Sequence, residues 1–226
     1  MFKSFFPQAF VFDLDGTLVD SVPDLSWALN AALAEMTLPL VTETQVRTWV
    51  GNGSVKLVER AVMSLPSIDD PEALTSTLHA GFLKHYKTAV CQQSCLYPGV
   101  LSLLEHIQQL NLPMVLVTNK PFAFVPPLLK ALGIEHFFSL MLGGDSLHEK
   151  KPSALPLLHA AQHMGVSPGQ CLMVGDSLSD FKSARSANMP VLLLEQGYNQ
   201  GINLSGLQPD CLLADINQLN VLIKPI

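Results

Sequence analysis

Short apolar runs recur along the chain, each followed by a polar turn and then a segment with helical spacing. Ala9–Phe12 (AFVF), Met114–Val117 (MVLV), residues 140–143 (LMLG), residues 171–174 (CLMV) and Val191–Leu194 (VLLL) have strand length and almost no polar positions. Continuous rather than alternating hydrophobicity predicts strands buried on both faces, the habit of a parallel sheet. Between them lie predicted helices. Val100–Gln109 carries Leu101, Leu104 and Ile107 on one stripe. Residues 122–132 close on Gly133, with Pro126 and Pro127 expected to delay or bend the start, and residues 154–164 close on Gly165. This alternation predicts an α/β fold, a Rossmann-like parallel sheet core with helices on both faces.

One region departs from the alternation. From Pro23 to about Val90 the pattern is helical, with no strand. Ser21 is placed to cap a first helix near Pro23, with Leu25, Ala28, Leu29, Ala32, Leu33 and Met36 on its apolar face. Thr42 and Gln45 have the spacing of a capping box for a second helix, which Gly51 ends. Ser54 is the expected cap of a third, and Pro71 opens a fourth that runs past Tyr86. Four helices exceed what a crossover needs. An inserted all-helical cap domain is therefore expected at 21–91, with 1–20 and 92–226 forming the catalytic α/β core.

Composition narrows the partners. The 226 residues include 48% hydrophobic and 14% charged positions, which suits a globular fold with a substantial core. The net charge of −6 offers no broad cationic surface, so nucleic acid is not an expected partner, whereas a small anion bound at a locally positive site is. No run approaches a membrane span, and the opening MFKSFFPQAFVFD is broken by Pro7 and stopped by Asp13, unlike a signal peptide. Cys91, Cys95, Cys171 and Cys211 are too few and scattered for a disulfide framework and read as reduced thiols. The expectation is a cytoplasmic protein, monomer or homodimer.

Candidate chemistry sits behind the strands, where open parallel sheets bind ligands. Asp13 and Asp15 follow the first strand; Thr118, Asn119 and Lys120 the second; Gly175, Asp176, Ser177 and Asp180 the fourth; Lys150 and Lys151 lie in the loop before a helix. Carboxylates gathered this way protonate unless a cation joins them, and a ligand set made only of oxygens favours Mg2+ over zinc. Asp13 and Asp176 would each give it a carboxylate oxygen. A lysine would neutralise phosphate oxygens, with Thr118 or Asn119 hydrogen-bonding them. That inventory suits phosphoryl transfer, in which one acid attacks phosphorus and the other protonates the leaving oxygen.

DLDGT (13–17), TNK (118–120), KKP (150–152) and GDSLSD (175–180) resemble, in order, the four motifs of the haloacid dehalogenase superfamily, and an insert after the first resembles that superfamily's helical cap. WVGNG (49–53), YPGV (97–100), TNKP (118–121) and GYN (197–199) narrow the resemblance to bacterial members that convert 2-phosphoglycolate to glycolate and phosphate. The resemblance implies that Asp13 is the nucleophile, forming an aspartyl-phosphate, and also a magnesium ligand. It implies that Asp15 is the general acid and then base, and a ligand through its backbone carbonyl. Thr118 and Asn119 would hold phosphoryl oxygens. Lys151, directly before Pro152, would be the charge-neutralising lysine in preference to Lys150. Asp176 would ligate the metal, with Asp180 supporting the ligands from behind. Relatives often carry a second proline two residues after Pro152, where this chain has Ala154.

Each motif also has a simpler reading. Acid pairs in turns are common, and two adjacent lysines are usually solvated, so only the joint occurrence carries weight. DLDG fails as a calcium loop because Leu18 stands where glycine is required. His159 and His163 have zinc-ligand spacing without a supporting third ligand. A dehalogenase has no need of Asp15 or Asp176; a phosphomutase would return the phosphoryl group to substrate; a phospho-acceptor module would need no cap. A small phosphorylated metabolite is the expected partner, with sugar phosphates, nucleotides and pyrophosphate as alternatives to 2-phosphoglycolate.

Overall fold

The computed structural model describes residues 6–223. Residues 1–5, the start of the segment read above as unlike a signal peptide, lie outside them. The order is β1 (Ala9–Phe12), β2 (Val19–Asp20), α1 (Val22–Glu35), α2 (Glu43–Trp49), α3 (Ser54–Met63), α4 (Pro71–Tyr86), β3 (Cys95–Leu96), α5 (Val100–Gln109), β4 (Met114–Val117), α6 (Val125–Ala131), β5 (Leu140–Leu142), α7 (Leu155–Met164), β6 (Cys171–Gly175), α8 (Leu178–Ser186), β7 (Val191–Leu194), β8 (Cys211–Leu213) and α9 (Ile216–Leu222).

Six strands form one parallel sheet in the order β5-β4-β1-β6-β7-β8. The alternation of side chains explains the uninterrupted apolar runs. Phe10, Phe12, Leu116, Leu172 and Val174 face a core built with α5, α6 and α9, whereas Val11, Val115, Val117 and Met173 face one built with α7 and α8. β4 and β5 lie on one side of β1, and β6 to β8 on the other, so the chain switches direction at β1 and leaves a crevice beyond its carboxyl end.

Several expectations shift in detail. The sixth strand, β8, went unread because Cys211, Leu212 and Leu213 are only partly buried and give a short signal. The buried stripe of α5 is Val100, Leu103, Leu104 and Ile107, while Leu101 faces solvent. Residues 122–124 form a turn of 3-10 helix before α6, with Pro126 and Pro127 in its first turn. Gly165 ends α7 in the left-handed conformation, as glycine permits.

Helices α1 to α4 pack on one another around their own apolar cluster, which includes Leu29, Val58, Leu78 and Phe82. Two chain segments join them to the sheet, and these pair as a short antiparallel ribbon, β2 with β3. The Thr42–Gln45 capping box forms. Two expected caps do not. Ser21 precedes α1, but its hydroxyl donates to Asp15 Oδ1 at 2.6 Å instead of accepting from the helix. The residue before α3 is Gly53, and the Ser54 hydroxyl pairs with His79 Nε2. Helix α4 ends at Tyr86 rather than beyond it.

Candidate active site

Asp13 and Asp15 leave β1 in extended spacing, with Leu14 between them buried in the core. Period-two geometry therefore turns both carboxylates toward the crevice. The chain then reverses at Gly16, whose φ of 91° a side-chain-bearing residue rarely adopts. A Cβ there would also collide with the Asp176 carboxylate and the Tyr198 ring. The Asp13 amide donates to Val174 O at 2.9 Å and the Thr118 amide to Leu142 O at 2.9 Å, continuing the sheet into the loops that carry the site.

Each acid has its own lysine. Lys151 Nζ lies 2.8 Å from Asp13 Oδ1, an ion-pair contact without hydrogen-bond alignment, and donates to Asp180 Oδ1 and to Val117 O at 2.7 Å. Lys120 Nζ forks onto Asp15, at 2.9 Å from Oδ1 and 3.2 Å from Oδ2. Both ammonium groups are buried. Burial disfavours their charge, but the facing carboxylates outweigh it and raise the pKa of both lysines. Lys150 points elsewhere: it is exposed and reaches Asn52 O at 3.3 Å in the loop between α2 and α3.

Asp176 follows β6, accepting from Thr17 Oγ1 at 2.7 Å and from the Tyr198 amide. Gly197 admits this approach, since a Cβ there would strike the same carboxylate. Asp180 caps its own helix with Ser177. Its Oδ2 accepts from the Ser177 amide and hydroxyl and from the Asp176 amide, while its Oδ1 is taken by Lys151. The Asp180 carboxylate is thus committed to holding its neighbours. Thr118 lines the crevice with its hydroxyl accepting from the Lys120 amide at 3.2 Å, and the Asn119 amide group ties Gly51 O to Lys151 O.

Carboxylate oxygens of Asp13, Asp176 and Asp180 gather within 4.8 Å of one another, all buried. Burial, reinforced by the Asp180 charge, pushes Asp13 up to about 7 against the pull of Lys151. Burial and the charges of Asp13 and Asp180 push Asp176 well above the usual carboxylate range. Burial and repulsion thus favour the protonated forms of Asp13 and Asp176; a hard divalent ion on oxygen ligands relieves the same repulsion, so the donor set fits magnesium. Among the described residues this is the one cluster of metal-ligating side chains; His159 and His163 are exposed surface groups.

A small cavity of about 40 Å³ adjoins the acids, enclosed by Leu25, Leu57, Phe82 and Tyr86 of the helical segment and by Lys120 and Phe124 of the sheet portion. Sequence reasoning brought together Asp13, Asp15, Thr118, Asn119, Lys151, Asp176 and Asp180, and all seven surround one crevice. It gave no role to Thr17, Lys120 or Tyr198. All three lie inside quoted motifs, so their position was visible although their partners were not. All four cysteines are unpaired, and no helix among the described residues is long and apolar enough to cross a membrane.

The family model for haloacid dehalogenase-like hydrolases matches residues 10–194. A phosphoglycolate phosphatase of Nitrosococcus oceani is 41% identical over 218 residues, 96% of this chain and 97% of that protein. The phosphoglycolate phosphatase of Escherichia coli K12 is 42% identical over 224 residues, 92% of this chain and 89% of that one. A crystal structure described as a predicted phosphoglycolate phosphatase from Haemophilus somnus superposes with a TM-score of 0.88 at 38% identity, covering 96% of this chain and 98% of that one.

Proposed function

The chain belongs to the haloacid dehalogenase-like hydrolase family, and from that premise we propose that it is a magnesium-dependent phosphatase of small phosphate monoesters, with 2-phosphoglycolate as substrate. The observation that carries this reading is the pair of acids two residues apart, each on its own buried lysine, lining a small cavity between the helical segment and the sheet. Relatives bearing the name phosphoglycolate phosphatase over almost the whole chain support the substrate.

In this reading Asp13 attacks phosphorus while the bond from phosphorus to the ester oxygen breaks, and Asp15 gives that oxygen its proton. Asp15 then takes a proton from the water that attacks the aspartyl-phosphate, releasing phosphate and restoring Asp13. Lys151, already beside Asp13, offsets charge on the phosphoryl oxygens, and Thr118 and Asn119 hold them. The side chains of Asp13 and Asp176, with the Asp15 carbonyl, would hold magnesium, which when bound neutralises phosphoryl charge. Asp180 fixes Lys151 and the Asp176 backbone. Residues 21–91 act as a cap over the core formed by 1–20 and 92–226, excluding water from the reacting groups.

Inorganic phosphate release from a panel of small esters, with magnesium or with chelator, tests the proposal. It predicts magnesium-dependent release, a clear lead for 2-phosphoglycolate, and loss of at least a thousandfold in Asp13→Asn, roughly the cost of removing a covalent nucleophile. Release led by another ester would discard the substrate and keep the chemistry. Transfer of the phosphoryl group back to substrate without release would identify a mutase.

A further inference from the structure

The small cavity is walled by apolar side chains, and the aromatic part of that wall is rigid. Tyr86 stacks on Phe82 with centroids 5.6 Å apart and meets Phe124 edge-on at 4.9 Å. Yet the Tyr86 hydroxyl, on a fully buried residue, has no hydrogen-bond partner. A buried hydroxyl left unpaired costs free energy, and in a cavity wall it marks a place where a ligand acceptor belongs. Lys120 Nζ stands over the same ring, 4.9 Å from its centroid. An ammonium carries three donors; Lys120 directs two contacts to the one Asp15 carboxylate and stands beside the Tyr86 hydroxyl, so ammonium and phenol present a paired donor site on one part of the wall. Among the described residues, Lys120 is the only cationic side chain lining this cavity. Burial pushes the phenol up to about 12, so it meets a ligand as a donor.

We propose that the Tyr86 hydroxyl and Lys120 Nζ form the subsite that binds a carboxylate on the substrate's leaving group. This rests on the phosphatase reading above and deepens it. The phosphoryl end of the substrate sits at Asp13 and Lys151, while the far end meets one ammonium, shared with Asp15, and one hydroxyl beside the rings of Phe82 and Phe124. A site built to hydrogen-bond a group discriminates strongly against an analogue lacking it, because its own donors are then left unpaired. The ligand class is therefore a small phosphate ester bearing a carboxylate close to the ester oxygen.

Ethyl phosphate, in which a methyl group replaces the carboxylate of 2-phosphoglycolate, provides the comparison. The unaltered enzyme should favour 2-phosphoglycolate in kcat/KM. Tyr86→Phe, which keeps the ring and its packing, should lower that preference about tenfold, the scale of one hydrogen bond to a charged group. The loss should fall on 2-phosphoglycolate and leave ethyl phosphate unchanged. Calorimetry on the Asp13→Asn chain gives a readout without turnover: adding Tyr86→Phe should weaken 2-phosphoglycolate binding about tenfold and ethyl phosphate binding not at all. An unchanged preference, or an equal loss with both esters, would overturn the subsite. Phosphate release from both esters with no preference would overturn it while sparing the phosphatase reading. Absence of release from either would sink that reading, and calorimetry would then decide the subsite by itself.

Discussion

Asp13 and Asp15 are two positions apart, and like charges that close raise each other's cost unless each finds a separate compensation. The fold supplies it by delivering Lys151 to the first and Lys120 to the second, from different loops. Asp176, by contrast, has no lysine of its own and lies packed between two glycines, Gly16 and Gly197. This leaves Asp13 and Asp176 as the carboxylates that gain most from a metal ion, and a pH dependence follows. Asp13 shifts from 3.8 to about 7 in the folded chain, so between those values the metal-free folded state binds more protons than the unfolded one. Its contribution to stability is therefore complete below about pH 4 and lost as pH rises through about 7. Magnesium competes with those protons, so its effect on Tm should grow from pH 5 to pH 8, as a thermal melt series with and without the ion would show. A magnesium-induced shift that is flat across that range would argue against Asp13 as a ligand. The acids themselves were legible in the sequence because motif order and strand ends located them. The pairing of Lys120 with Asp15 was not, since the two lie 105 residues apart, whereas Lys151 stood out from adjacent Lys150 by its place directly before Pro152.

At the scale of elements, the ribbon of β2 and β3 and the chain beside it set how the four-helix segment meets the sheet. Asp24, in the first turn of α1, is buried there. Its carboxylate accepts from the amides of Gln92, Gln93 and Ser94 and from the Ser94 hydroxyl at 2.6 Å, clasping the returning connection to the outgoing helix. Asp24→Ala would leave several buried donors unpaired and should destabilise the protein by about 3 kcal/mol. Chemical denaturation would measure this; a change below about 0.5 kcal/mol, ordinary for a surface position, would show that the clasp is not structural. Strands and helices were readable because burial on both faces writes an unbroken apolar run and helix ends use glycine and capping residues. Where the prediction failed, a tertiary partner had displaced a local one. Ser21 gives its hydroxyl to Asp15 rather than to α1, and the Ser54 hydroxyl pairs with the His79 ring. Asp24 gave no signal in the sequence, since its partners lie about seventy residues away.

Across the whole molecule, charge is unevenly placed. The chain carries a net −6, yet a cleft of about 450 Å³ beside the site is lined by Lys56, Arg60, Lys150, Lys151 and Lys182 and, among the described residues, by no carboxylate. Such a cleft concentrates field lines and draws small anions toward Lys151. Salt screens exposed charges over about 10 Å at 0.1 M. kcat/KM should therefore fall as ionic strength rises while kcat holds, and Lys182→Glu should lower kcat/KM several-fold at low salt and flatten the dependence. A salt response identical in the variant and the parent would remove steering from the account. Rapid acid quench of a single turnover with phosphoryl-labelled 2-phosphoglycolate, followed by peptide mapping, should trap a transient acyl-phosphate on the peptide containing Asp13, absent in Asp13→Asn, as a nucleophilic role for Asp13 requires. Phosphate released with no labelled protein at any time, or label carried by another residue, would contradict it.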